Sequence, residues 1–303
     1  PKFRGEDVAP GGELGTGVHP AFIVGGVEKD LFMVGMYQAY QDGSHFVSQP
    51  QRDPHASIDL DAARAGMQAN GSGWHLMTNW EWAAIALWCM ANGYQPTGNT
   101  NWGRSHVNTW ETGRRADGGV PGNDSGVGRN LTGSGPMSWR RDGSPAGISD
   151  LVGSVWEWVD GLKLQDGRII LAPDNDYALS ETGWVAQDMW LSSSGGVTFE
   201  ATEGDVVRDG EIGDDGYGNS ASAEWRTMGG DPATQLLTRS LIMPNGTLDP
   251  EGRLYVRNYG ERLPCRGGSW SNGGNAGLAA LALNNPRTSA YGTFGFRPAF
   301  INP

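Results

Sequence analysis

The sequence predicts an α+β fold of small antiparallel sheets with two helices and long Gly-rich insertions. Three observations predict it. Two segments carry helix start and stop signals, several short apolar runs flank Asp-Gly or Gly-Gly turns, and 48 Gly and 17 Pro among 303 residues punctuate the remainder. Thirteen Trp, eight Tyr and eight Phe supply the core that a disordered chain of similar turn content lacks. The length suits one large domain over residues 1–303, with insertions at about 93–147 and 172–262.

Taken in order, Ala21–Val24 and Leu31–Tyr37 flank Gly25-Gly26 and read as an opening hairpin. A first helix spans roughly Asp59–Ala69, with Ser57 or Asp59 as N-cap and Asn70-Gly71 as the stop. Thr78-Asn79-Trp80-Glu81 then fits a capping box, in which Thr78 bonds forward to the third amide and Glu81 reaches back. The second helix runs from there to Ala91 and stops at Asn92-Gly93. It is apolar nearly all round from Trp82 to Met90, which predicts central burial. Gly93 to Gly147 shows no sustained period and reads as a long ordered excursion over the surface.

Val155–Val159 alternates at period two, placing Trp156 and Trp158 on one face. Leu162–Leu164 and Arg168–Leu171 flank Asp166-Gly167 as a hairpin, and Val206–Arg208 with Glu211–Ile212 repeat that arrangement around Asp209-Gly210. Gly210–Gly218 reads as a solvated acidic loop. Leu278–Leu283 is a further apolar run. In the final strand Phe294 and Phe296 share one side, with Gly295 and Arg297 on the other.

Composition excludes several functions. A net charge of −12 opposes binding to a nucleic-acid backbone, where Lys and Arg must displace condensed counterions. The longest apolar run, Trp82–Ala91, is half of the ~20 residues that a membrane span needs. Pro1–Pro10 has no apolar segment, so no signal peptide is expected. His19, His45, His55, His75 and His106 form no HxH or HExxH pair, and the glycines match neither a P-loop nor a dinucleotide fingerprint.

Asp205, Asp209, Asp214 and Asp215 offer oxygen ligands for a structural calcium, but their spacing is not that of an EF-hand and the calcium is left without support. No cofactor is expected. Arg114-Arg115 and Arg140-Arg141 suit bidentate bonding to an anion, with pairing to the chain's own carboxylates as the simpler account. Cys89 reads as a small buried hydrophobe, and nothing near Cys265 argues for a lowered thiol pKa. Two cysteines leave the redox compartment open.

Four collinear blocks remain. They are His75–Ala84; Gly147–Val159, ending in Gly153-Ser154-Val155-Trp156-Glu157-Trp158-Val159; Arg266-Gly267-Gly268-Ser269-Trp270; and Gly295-Phe296-Arg297-Pro298. Together they resemble the formylglycine-generating-enzyme type of C-type lectin fold. The catalytic members resemble one another in a pair of cysteines between the third and fourth blocks, and Ser271 through Phe294 contains none. No counterpart of the iron-binding histidine domain that the related sulfoxide synthases carry is expected within residues 1–303.

The segment Ser269–Phe300 resembles instead the variable region of diversity-generating-retroelement variable proteins, whose mutable positions derive from asparagine codons by adenine-directed mutagenesis through a reverse transcriptase. That resemblance implies a variable region of about 269–300, with variable positions at Ser271, Asn272, Asn275, Ala282, Asn284, Asn285, Ser289, Tyr291, Gly292 and Thr293. It implies a fixed scaffold that includes Trp156, Trp158, Arg266, Gly267, Gly268, Trp270, Phe294, Phe296 and Arg297. The function implied is non-catalytic binding of a protein or glycan ligand on a cell or virus surface, from a virion or cell-surface setting. The alternatives are an oxidoreductase related to formylglycine-generating enzyme or sulfoxide synthase, and a structural or assembly protein.

The division of labour has a physical basis. Exposed substitutions usually shift stability by no more than about 0.5 kcal/mol, whereas core truncations cost roughly 2–5 kcal/mol. Variable positions are therefore expected to be exposed on a rigid support. Tyr291 is the expected anchor, because tyrosine offers rigid contact area and a hydroxyl at low entropy cost. The asparagines offer adaptable amides.

Overall fold

The computed structural model describes residues 1–193, 196–202, 220–228, 235–243, 248 and 251–302. Among these residues the fold is mixed α+β and mostly sheet, with four α-helices, two of them single turns.

A short helix α1 (Gly5–Val8) precedes a hairpin of β1 (Ile23–Val24) and β2 (Val27–Glu28), closed by Gly25 and Gly26 at positive φ. The expected second arm at Leu31–Tyr37 is not part of it. A two-residue turn pairs the residues that directly flank it, and Leu31 lies beyond that register. Only β3 (Met33–Val34) forms there, and it pairs with the end of the chain. An unforeseen hairpin follows, β4 (Ala39–Asp42) with β5 (His45–Ser48).

Both expected helices form on their caps. In α2 (Leu60–Gln68) the Asp59 carboxylate accepts from the Ala62 amide at 2.8 Å. A strand β6 (Trp74–Leu76) then leads into α3 (Asn79–Ala91). There the Glu81 amide donates to Thr78 Oγ1 at 3.1 Å, and the Thr78 amide donates to Glu81 Oε2 at 2.9 Å. Helix α3 buries 11 of its 13 residues. Its indoles bond outward to distant backbone, Trp80 to the Ala172 carbonyl and Trp82 to the Leu278 carbonyl. The excursion 93–147 contains a 3-10 turn at 137–139 and isolated bridges, and it buries Asn99, Arg115, Asn130 and Trp139.

The second half is sheet. β7 (Trp156–Trp158) is followed by the expected hairpin, β8 (Leu162–Gln165) and β9 (Arg168–Leu171). The stretch 172–262 then supplies β10 (Val185–Ser192), β11 (Thr198–Glu200), β12 (Ser220–Glu224), α4 (Gln235–Arg239) and β13 (Arg253–Arg257). β14 (Glu261–Gly267), β15 (Gly277–Asn285), β16 (Phe294–Phe296) and β17 (Pro298–Phe300) close the chain.

In place of small antiparallel sheets alone, ten of these strands form one sheet, in the order β11-β10-β9-β8-β14-β15-β13-β12, with β7 paired to β14 and β16. The cause is the length of β14. Its start pairs with β8 (Glu261↔Gln165) and its end with β7 (Cys265↔Trp158), so one strand joins two groups. Two of the pairings, β13–β15 and β7–β16, are parallel.

The single final strand of the sequence reading is also corrected. β16 lies in the large sheet, while β17 pairs with β3 and β6, and the break falls at Arg297. The side chain of Arg297 is drawn into the core, and Pro298 has no amide hydrogen with which to continue the first ladder.

The expected hairpin at Val206–Ile212, the acidic loop at Gly210–Gly218 and the aspartates Asp205, Asp209, Asp214 and Asp215 lie outside the described residues. No helix among the described residues is long and apolar enough to cross a membrane.

Candidate ligand-binding site

The scaffold motifs act as core fasteners. The Arg266 guanidinium is fully buried and donates to Asn79 Oδ1 at 3.0 and 2.7 Å and to the carbonyls of Ser240 and Leu241. Burial pulls its pKa down to about 9. Gly267 and Gly268 both have φ of +89°. A Cβ at Gly267 would lie 2.5 Å from the Leu151 carbonyl oxygen, and one at Gly268 would lie 2.5 Å from Ala276 Cβ. Only glycine meets both conditions without strain. Trp270, at 9% exposure, closes the motif.

Trp156 and Trp158 share a face of β7, as the alternation predicts, but Glu157 between them is buried as well, at 1% exposure. Its partner is Arg297, which donates to the carboxylate at 2.6 and 2.9 Å and to the carbonyls of Gly35 and Ser149. The fourth block is thereby locked onto the second, and the parallel register Phe294↔Trp156 is set.

Around this frame the loop 286–293 is held from three sides. Arg287 donates to Glu261, Glu181 and Asp61. Arg287 and then Lys163 hold Glu261 below the usual carboxylate range. Burial pushes Glu181 up, yet Arg287 and Lys163 together hold it down at about 2. On the opposite side Arg129, paired with Asp53 at 2.8 Å, donates to the Gly292 carbonyl and lies over the Trp270 ring. The Ser57 amide donates to the Tyr291 and Phe294 carbonyls. The loop is thus held by the side chain of its own Arg287 and by the carbonyls of Tyr291 and Gly292, so the Tyr291 side chain is not itself a tether.

The ten positions that the resemblance marks as variable divide by burial. Ser271 and Tyr291 are exposed, Tyr291 at 56%. Asn272, Asn275, Asn284, Asn285, Gly292 and Thr293 are half-buried. Ala282 and Ser289 are buried, at 5% and 3%, which corrects the expectation of uniform exposure. Ala282 faces Cys265 and Tyr255 across the central strands, and Ser289 lies inside the Arg287 loop with its hydroxyl unpartnered among the described residues.

Asn272 is committed to its own turn: its Oδ1 accepts from the Ser269 amide at 2.8 Å and the Ser269 hydroxyl at 2.7 Å. The side chains of Asn284 and Asn285 make no hydrogen bond among the described residues.

Four of these positions converge. Asn272, Ala282, Asn284 and Asn285 line a shallow recess of about 160 Å³ with Trp156, Tyr255 and Phe294. Trp156 meets Tyr255 edge-on, and Phe294 is met at right angles by Trp158 and Tyr291. Burial raises the pKa of Tyr255 above that of an ordinary tyrosine.

Sequence reasoning missed Tyr255, Arg129 and Ser57. The apolar, aromatic and β-branched run Leu254-Tyr255-Val256 was a legible strand signal for Tyr255. Arg129 carried none, and Ser57 reads only as a candidate N-cap.

Other candidates fall elsewhere. A larger groove of about 700 Å³ lies between the β4–β5 hairpin and the β3–β17–β6 sheet, lined mainly by apolar groups such as Met33, Phe46, Trp74 and Phe300, and contains none of the ten positions. The basic doublets are largely spent internally: Arg115 pairs with Asp117, Arg141 with Asp142, and Arg140 bonds carbonyls. Both cysteines are free and buried. Burial pushes the Cys89 thiol up to about 12 and the Cys265 thiol well above its usual value. Among the described residues no group of three or more His, Cys, Asp or Glu is placed to hold a metal ion. No protein-family model and no curated protein matches the chain.

Proposed function

We propose that this chain is a non-catalytic ligand-binding protein with a C-type lectin fold of the formylglycine-generating-enzyme type, diversified in its C-terminal region by a retroelement. Its ligand is a protein or glycan on a cell or virus surface. The observation that carries this reading is the recess: residues 272, 282, 284 and 285, which the sequence resemblance names, meet over an aromatic floor of Trp156 and Phe294, both on the expected scaffold, and Tyr255, which is not. The held backbone of the 286–293 loop supports it, because a variable surface requires a rigid mount. The two buried thiols speak against the oxidoreductase alternative, since a thiolate rather than a thiol is the nucleophile and metal ligand.

The test is in the gene. Sequencing the flanking DNA is expected to find a near-copy of the 3′ end, differing mainly where the copy has adenine, beside a reverse transcriptase gene. The differences should fall on the codons of the ten positions. Their absence, or differences spread over the scaffold codons, sinks the proposal.

A further inference from the structure

We infer that the partner is a protein, and that it seats one uncharged aliphatic side chain in the recess between Trp156, Tyr255, Phe294 and Ala282. This rests on the binding reading above and narrows it to one ligand class. Three features of the site point the same way.

The lining is neutral: three aromatic residues, one methyl and three asparagine amides, without a carboxylate or a cation. A charged group entering it loses hydration and finds no counter-charge, so the guest is uncharged. The chain's net charge of −12 further disfavours acidic glycans.

Two of the three floor rings present almost no open face. Trp156 and Phe294 are each 6% exposed, and the rings of the floor pack against their neighbours edge to face. A pyranose packs its C–H surface on an exposed aromatic face. A branched aliphatic side chain needs only an irregular apolar hollow.

The border has the composition of an antibody paratope. Asn272, Asn284 and Asn285 line the hollow, and Tyr291, exposed, stacks edge to face on its Phe294. Tyrosine supplies rigid contact area and the small polar residues supply adaptable hydrogen bonds to a polypeptide surface. The unbonded amides of Asn284 and Asn285 each offer a donor and an acceptor, which matches a backbone peptide group adjoining the anchor.

The experiment pans a displayed library of disulfide-closed random peptides against the full chain and probes a glycan array in parallel. Selected peptides are expected to share one Leu, Ile, Val or Met. Truncating that residue to Ala should weaken binding roughly tenfold to a hundredfold. Ala282→Leu, which fills the hollow, should weaken the parent peptide similarly. If that variant misfolds, the peptide-side truncation still decides the matter.

Glycan-array binding that depends on Asn284 and Asn285 overturns the inference and leaves the binding reading standing. So do peptides without an apolar anchor that still need Tyr291, and so does a library that enriches nothing. Peptides and glycans indifferent to combined replacement of Tyr291, Asn284 and Asn285 by Ala, in a folded variant, overturn the binding reading itself.

Discussion

Replacing Arg297 by Met removes the cation that matches a carboxylate buried at 1% exposure and leaves Glu157 without its main partner. Of the Glu157 contacts, the two guanidinium bonds at 2.6 and 2.9 Å are lost, and only the Gln38 amide at 3.0 Å remains. The Gly35 and Ser149 carbonyls also lose their donor. Breaking one side of a buried pair costs about 3–5 kcal/mol. With an unfolding entropy of about 2.1 cal/mol/K per residue, a chain of 303 residues has about 0.6 kcal/mol/K, so the melting temperature should fall by about 5–8 °C.

Urea unfolding followed by tryptophan fluorescence gives the free energy, and calorimetry gives the temperature. The double variant Arg297→Met with Glu157→Met removes the stranded carboxyl and should be more stable than Arg297→Met alone. A single-variant loss below about 1 kcal/mol, or a double variant no more stable than the single, would refute the role assigned to this pair in docking β16 on β7.

Three further outcomes are expected. His19 is buried, its Nε2 facing the Arg239 carbonyl at 2.9 Å and its Nδ1 accepting from the Ala21 amide, and burial depresses its pKa from 6.5 to about 3. The unfolded chain therefore takes the proton first, and stability should fall below pH 6.5 by up to about 1.4 kcal/mol per unit. His75 acts in the opposite sense. Burial pulls its pKa down, but Glu81 overrides this and raises it above 6.5, so its contribution is lost as pH rises through that raised value. Urea titrations across pH should show His19→Gln flattening the acid limb only; an unchanged acid limb contradicts the assignment.

Gly268→Ala should cost at least about 1–3 kcal/mol, because φ of +89° and the Ala276 contact both resist a Cβ, and a loss under about 0.5 kcal/mol contradicts that. Ser271→Tyr should shift stability by no more than about 0.5 kcal/mol, whereas Ser289→Tyr should cost about 1–3 kcal/mol or more by overpacking. Equal tolerance at the two positions would show that burial does not decide which positions accept change.

The amino-acid order alone determined what is local. Thr78 set the start of α3 and the α2 start was narrowed to Ser57 or Asp59, of which the fold uses Asp59; Asp166-Gly167 set the β8–β9 turn, and the motifs around Trp156, Arg266 and Phe294 marked residues that prove to be buried. Those signals act over a few residues through caps, turn dihedrals and alternation, so they survive without knowledge of the rest of the chain.

Tertiary structure decided the partners. β3 went to β17 rather than to β1, β14 joined the strands on both sides of it, Ser289 turned inward, and Tyr255 arrived at Ala282 through a parallel register. Arg129 and Ser57 reached the loop from far along the chain. Each outcome depends on which distant surfaces pack together. The free energy of that packing belongs to pairs of segments, and no single segment carries it.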